Sequence, residues 1–280
     1  MIDAILDAVL DSLKILPFLF ITYLLMEYLE HKTIEKSKNF IKKTGKWGPI
    51  FGGLLGAIPQ CGFSVSATNL YAGRVITVGT LIAIYLSTSD EMLPILISSG
   101  TKISLILEIL LVKIIIGILA GIVIDFVYRK SSKNEENENI HNLCENEHCH
   151  CEEGILKSTI KHTAQIFIFI VIISIILNIG LFIIGREKLA GLILNKPILG
   201  PVLAGIIGLI PNCASSVVLT ELFTNGVIGI GTLIGGLLVN SGLGGIVLFK
   251  VNKNVKENIK IISILYAIGV ICGIIIDFIV

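Results

Sequence analysis

Apolar stretches at about residues 13–28, 47–73, 75–99, 103–128, 163–185, 197–223, 226–249 and 260–280 are separated by shorter polar ones. Each can supply a membrane helix, which needs about 20 apolar residues at a rise of 1.5 Å each. Between the fourth and fifth lies a polar stretch, 129–157, with the run Lys133-Asn134-Glu135-Glu136-Asn137-Glu138-Asn139. It reads as a solvated linker. The pattern predicts a first membrane part over 1–130, a linker over 131–157 and a second membrane part over 158–280. Asp3, Asp7 and Asp11 recur every fourth residue, so 2–12 are expected to form an interfacial lead-in with one acidic face. That start is acidic where a secretory signal is basic.

Displacing the sequence by 152 residues lays the two membrane parts over each other without a gap. Gly48-Pro49 falls on Gly200-Pro201, and Ile58-Pro59-Gln60-Cys61 on Ile210-Pro211-Asn212-Cys213. Ser64 and Thr68 meet Ser216 and Thr220, Gly79-Thr80-Leu81-Ile82 meets Gly231-Thr232-Leu233-Ile234, and Ile124-Asp125-Phe126 meets Ile276-Asp277-Phe278. Shared apolar composition does not produce such a set in one register, so the chain is a duplication. Duplicated membrane folds are characteristic of transporters. Loop 31–47 holds six lysines against three basic residues in its counterpart 186–196, whereas loop 250–260 holds four lysines against Lys102 alone near 98–104. Rich and poor loops exchange places between the halves. By the positive-inside rule this predicts inverted repeats with an odd number of crossings each, a cytoplasmic linker and both termini outside.

Both repeats contain interruptions. Pro59 cannot donate a backbone hydrogen bond, and Gly62 beside it lets the chain bend; Pro211 repeats the break. The flanks 48–58 and 62–73 are too short to span alone, so each segment is expected to be a broken span or a re-entrant hairpin. The next segment is interrupted by Ser87-Thr88-Ser89-Asp90-Glu91, and its partner by Val239-Asn240-Ser241-Gly242-Leu243-Gly244-Gly245. Paired interruptions at equivalent positions are the best sequence pointer to a transport site.

Composition sharpens the class. Of the 280 residues 54% are hydrophobic and 15% charged, against about 25% charged in soluble domains. Mean hydropathy is +0.89. The expectation is an all-α polytopic protein of the cell membrane whose partners are the lipid bilayer and a small inorganic substrate, with a homodimer as one admissible assembly. Lys+Arg 22 and Asp+Glu 21 nearly cancel, so nucleic acid is not an expected partner. No nucleotide loop of the Gly-x-x-x-x-Gly-Lys-Ser/Thr kind is present. No metal-binding His–carboxylate motif or Ser/Lys nucleophile pair stands in a span, so an enzyme is not expected.

Candidate chemistry gathers at the interruptions. Cys61 and Cys213 stand beside the breaks, where a following helix N-terminus favours a thiolate or an anion. Two soft sulfurs related by pseudo-symmetry can bind a soft metal or metalloid; the competing reading is that each is a small buried hydrophobe. Gln60, Asn212, Ser64, Ser216, Thr68 and Thr220 supply polar walls or interhelix packing. Asp90 and Glu91 are consecutive carboxylates in a broken span and are candidates for coupling to a proton or sodium, unless they reach the surface at a short loop. Glu108 and Lys113 read as residues snorkelling near an interface, and Asp125 and Asp277 as caps or orienters near span ends. The linker places His141, Cys144, His148, Cys149, His150 and Cys151 within eleven residues. That density suits a metal ion without specifying a fold; no resident cofactor is otherwise required.

The paired Ile-Pro-Gln/Asn-Cys motifs, the Gly-Thr-Leu-Ile stretches and the Cys/His-rich central loop resemble the arsenic-efflux, or ten-helix heavy-metal exporter, family of prokaryotic membrane proteins. The resemblance covers nearly the whole chain and implies metalloid or heavy-metal efflux. Two other readings stay open: an ion-coupled transporter of a small organic or inorganic anion, and a membrane metal sensor.

Overall fold

A computed structural model describes residues 47–58, 61–89, 92–131 and 198–279, with scattered helical residues between 13 and 24 and between 156 and 175. The described residues form helices and no strand: α1 (Gly48–Gly56), α2 (Cys61–Ala72), α3 (Val78–Ser87), α4 (Met92–Ser98), α5 (Ile103–Ser131), α6 (Leu199–Gly208), α7 (Cys213–Thr224), α8 (Ile230–Val239), α9 (Gly244–Val251) and α10 (Val255–Ile279). The all-α expectation holds. The starts of α2, α3, α4 and α5 recur 152 residues later as those of α7, α8, α9 and α10. Helix α10 begins five residues before its apolar stretch, because its first turn is held by polar contacts: Asn258 is buried and donates to the carbonyls of Leu248 and Asn252.

Among the described residues four stretches are long and apolar enough to cross a membrane: α3 with α4, α5, α8 with α9, and α10. The two interrupted spans are 69% and 89% buried, the two unbroken helices only 28% each. Broken helices therefore sit inside and intact ones outside. Helix α5 shows how. Ile103, Leu107, Leu111, Ile115, Leu119 and Val123, four residues apart, are exposed and form an apolar outer stripe. Ile106, Ile109, Lys113, Gly117, Gly121 and Ile124 make the buried stripe. An exposed apolar stripe of that length suits lipid, not water.

The two stripes of small residues let backbones touch. A Cβ on Gly79 would lie 2.2 Å from the Gly121 carbonyl, and one on Gly231 2.4 Å from that of Gly273. These contacts join α3 to α5 and α8 to α10, the small-residue packing that substitutes for a hydrophobic drive between helices in lipid. Beside each contact a carboxylate holds the start of the inner helix. Asp125 accepts from the Gly79 amide at 2.9 Å and the Thr77 hydroxyl at 2.7 Å. Asp277 accepts from the Thr232 amide at 3.2 Å and the Thr232 hydroxyl at 2.9 Å. The capping role read for these two residues is what the structure shows.

The repeats also pack on each other, α2 against α9 and α7 against α4. At one end Arg74 pairs with Glu257 at 3.5 Å, Tyr71 donates to the same carboxylate, and Lys260 lies 4.7 Å from the Tyr128 ring centre. Arg74 has φ 57° where the second repeat has Gly226 at φ 70°, so the first repeat bears a left-handed side chain that glycine avoids.

Gly79→Ala is expected to destabilise the purified protein by about 2–4 kcal/mol, because its methyl meets backbone that cannot move aside. Gly226→Ala, in open space, should cost only about 1 kcal/mol for its left-handed φ. Chemical unfolding in detergent compares them.

Candidate functional site

Four helix ends bear on the site: α1 stops at Gly56 and α3 at Ser87 in the first repeat, α6 at Gly208 and α8 at Val239 in the second. Their contacts form one connected chain. The Ser89 hydroxyl donates to the Ala57 carbonyl at 2.7 Å, tying the first two together. A Cβ on Gly245 would lie 2.4 Å from the Ser241 hydroxyl and 3.8 Å from Pro211 Cβ, which brings the second two together. Between repeats, the Thr68 hydroxyl oxygen lies 3.1 Å from the Gly244 carbonyl oxygen, and Lys113 donates to the carbonyls of Thr88 and, at 3.3 Å, Leu237.

Cys61 and Cys213 are the first residues of α2 and α7; the helices start on them and not after them, and their side chains lie outside what the structure describes. Pro59, Gln60, Asp90 and Glu91 are also outside the described residues, as is the whole linker with His141, Cys144, His148, Cys149, His150 and Cys151. Among the described residues no three His, Cys, Asp or Glu side chains are grouped for a metal. Gly62 is buried and Pro211 half-buried. Asn212 precedes α7 in extended backbone, φ −149° and ψ 150°, and its side chain does not cap that helix. The four hydroxyl residues all face inward: Ser64, Thr68, Ser216 and Thr220 are buried, at a four-residue spacing that puts each pair on one helix face. In both repeats the threonine donates to the serine carbonyl at 2.7 Å, an internal bond that satisfies a hydroxyl without a partner helix.

The repeats then diverge. Thr68 also bonds Tyr85 Oη, a fully buried phenol, where the second repeat has Leu237. Lys113 stands where the second repeat has Leu265. The snorkelling expected for Lys113 is wrong: its exposure is 0%, whereas Glu108 is exposed. The cause is register. Lys113, Gly117, Gly121 and Asp125 follow one another at four-residue steps, and the glycines fix that row against α3. The lysine is therefore aimed into the bundle from mid-helix, too deep for its stem to reach an interface. Spacing from Gly117 was the available signal for it; Tyr85 carried none, since every neighbour of a buried span is apolar.

Asp125 and Lys113 thus hold opposite ends of α3, the anion at its N-terminus and the cation at its C-terminus, each the sign that the helix dipole favours. The N-termini of α2 and α7 add positive ends beside the two cysteines.

Residues 1–188 match the family model described as "Putative, 10TM heavy-metal exporter". The chain belongs to this family. The match takes in the first repeat, with Cys61, Thr68, Tyr85 and Lys113, and the linker, and stops before α6. Family and apolar helices together make this a multi-pass membrane protein. No curated protein and no solved structure matches the chain.

Thr68→Val keeps the volume but takes the hydrogen-bond partner from the buried Tyr85 hydroxyl, and should cost about 1–3 kcal/mol. Thr220→Val removes a bond within its own helix only and should cost under about 1 kcal/mol. Unfolding midpoints of the two variants measure the difference.

Proposed function

We propose that this protein is a secondary-active transporter that exports a soft metal or metalloid, arsenic-like, by alternating access. The observation that carries the reading is the start of α2 on Cys61 and of α7 on Cys213, each after an interruption, in repeats 152 residues apart. Thiolates favoured by helix N-termini bind soft ions, and irregular backbone is tolerated at membrane depth only inside protein or along a wet cavity. Gln60, Asn212, Ser64, Ser216, Thr68 and Thr220 line the path; Asp90 or Glu91 couples export to a proton or sodium. The linker cysteines and histidines capture metal on the cytoplasmic side, and no catalytic step is involved.

The repeats are inverted, with α1–α2 and α6–α7 as re-entrant hairpins. Support comes from the ends of equivalent helices: the start of α10, at Lys260, lies against the end of α5, at Tyr128, a contact expected of helices that run in opposite directions. The charged loops give the same sense. Cysteines introduced at the exposed positions Lys102 and Lys253 should then react with an impermeant maleimide from opposite faces of the membrane, read by mass spectrometry of the labelled peptides. Labelling of both from one face would rule out inversion.

The transport claim is tested in inverted vesicles, where export becomes uptake. Arsenite or a soft divalent metal should accumulate under an imposed proton gradient, and Cys61→Ser with Cys213→Ser should lower the rate at least about tenfold. Unchanged uptake in the double variant would remove the cysteines from the path. Two facing helix N-termini also suit an anion, so competition by anions and not by thiophilic metals would favour an anion transporter. Loss of a metal response on deleting 140–153, with flux intact, would favour a sensing role for the linker.

A further inference from the structure

Lys113 is a buried cation that the export reading does not use. Its ammonium donates to two carbonyls from different repeats, among its contacts: that of Thr88, at the end of α3, and that of Leu237, in the last turn of α8. Both lie where an interrupted helix stops, so both belong to the negative end of a helix dipole with carbonyls left over by the break. In transporters built on discontinuous helices such ends are where a coordinating cation sits. Here the lysine stem of α5 delivers one permanently. Charge and carbonyls are complementary on both sides: three N–H donors, no acceptor, in a place with no water-exposed surface. The second repeat has Leu265 at the equivalent position, so one ammonium serves the ends of both interrupted spans. The nearest titratable groups along the chain are Asp90 and Glu91, two and three residues past Thr88, and on the packed face of α3 Tyr85, whose hydroxyl is turned to Thr68.

We infer that Lys113 is a tethered cation occupying the cation position between the two broken helices, so that no sodium ion binds there. The bearing on transport rests on the export reading, which it narrows by removing sodium from this site as co-ion. The lysine positions the two interruptions relative to one another; it is not a ligand to the substrate.

The test needs no substrate. Purified full-length protein is heated in sodium chloride or in choline chloride of equal ionic strength; every sample, wild type at position 113 included, carries Asp90→Asn and Glu91→Gln so that the proposed coupling carboxylates hold no sodium. Wild type should unfold at the same temperature in both, within about 1 °C, since the position is filled. Lys113→Ala should unfold lower in choline and recover by about 3 °C or more in sodium or methylammonium, which enter the vacated carbonyl cage. Lys113→Leu, the residue the second repeat carries, fills that space with a side chain and should respond to neither cation. Selective stabilisation of wild type by sodium would overturn the proposal, and so would a folded Lys113→Ala that behaves like Lys113→Leu. If the alanine variant does not fold, the wild-type comparison decides. Vesicles that move no metal would sink the export reading and leave this result standing.

Discussion

A helix that stops inside a membrane leaves carbonyls and amides that lipid cannot satisfy, and everything else in this fold follows from where those groups go. Each unsatisfied group in hydrocarbon costs several kcal/mol, so the interruptions can exist only behind a wall of unbroken helix. That is the arrangement seen: α3–α4 and α8–α9 are mostly enclosed, while α5 and α10 show long apolar stripes outward. The wall must also come close, since a gap would leave the breaks bare. Glycine rows on both partners provide that approach, backbone against backbone.

The same row on α5 then does three jobs. Asp125 takes the free amide at the start of α3, Gly121 and Gly117 bring the helices together, and Lys113 takes the free carbonyl at its end. A carboxylate and an ammonium are costly in an apolar helix when isolated. Placed at opposite ends of a short enclosed helix, each meets groups that need its charge. In the second repeat Asp277 keeps the first job, and the last passes to Lys113 from across the repeat boundary.

Much of this was legible in the sequence because membrane spans are long and repeats are redundant. The interruptions at Pro59 and Pro211 and at Ser87–Glu91 were marked by proline, glycine and polar runs, and the duplication fixed their equivalence. The inward serines and threonines were marked by their spacing. Depth was harder to read. Hydropathy shows Lys113 only as one charge within the apolar stretch 103–128, because it averages around the helix and loses which face a residue is on. The face was encoded in the glycines at 117 and 121, which matter only once α3 is known to lie against them. Tyr85 was hidden for the opposite reason: in a span buried on every side no periodicity distinguishes one neighbour from another. The start of α10 was missed by five residues because asparagine side chains, not apolar ones, hold its first turn.

The clasp of Arg74 and Tyr71 on Glu257 has no equivalent in the other repeat, where Gly226 and Leu105 stand at the places of Arg74 and Glu257. If the halves alternate as proposed, a clasp present at one end and missing from the other favours one orientation. An ion pair exposed to this degree contributes at most about 1 kcal/mol, a bias of a few-fold in population. On the alternating-access reading proposed above, that is enough to set which side the empty protein faces, and little enough for the binding of one solute to turn it around.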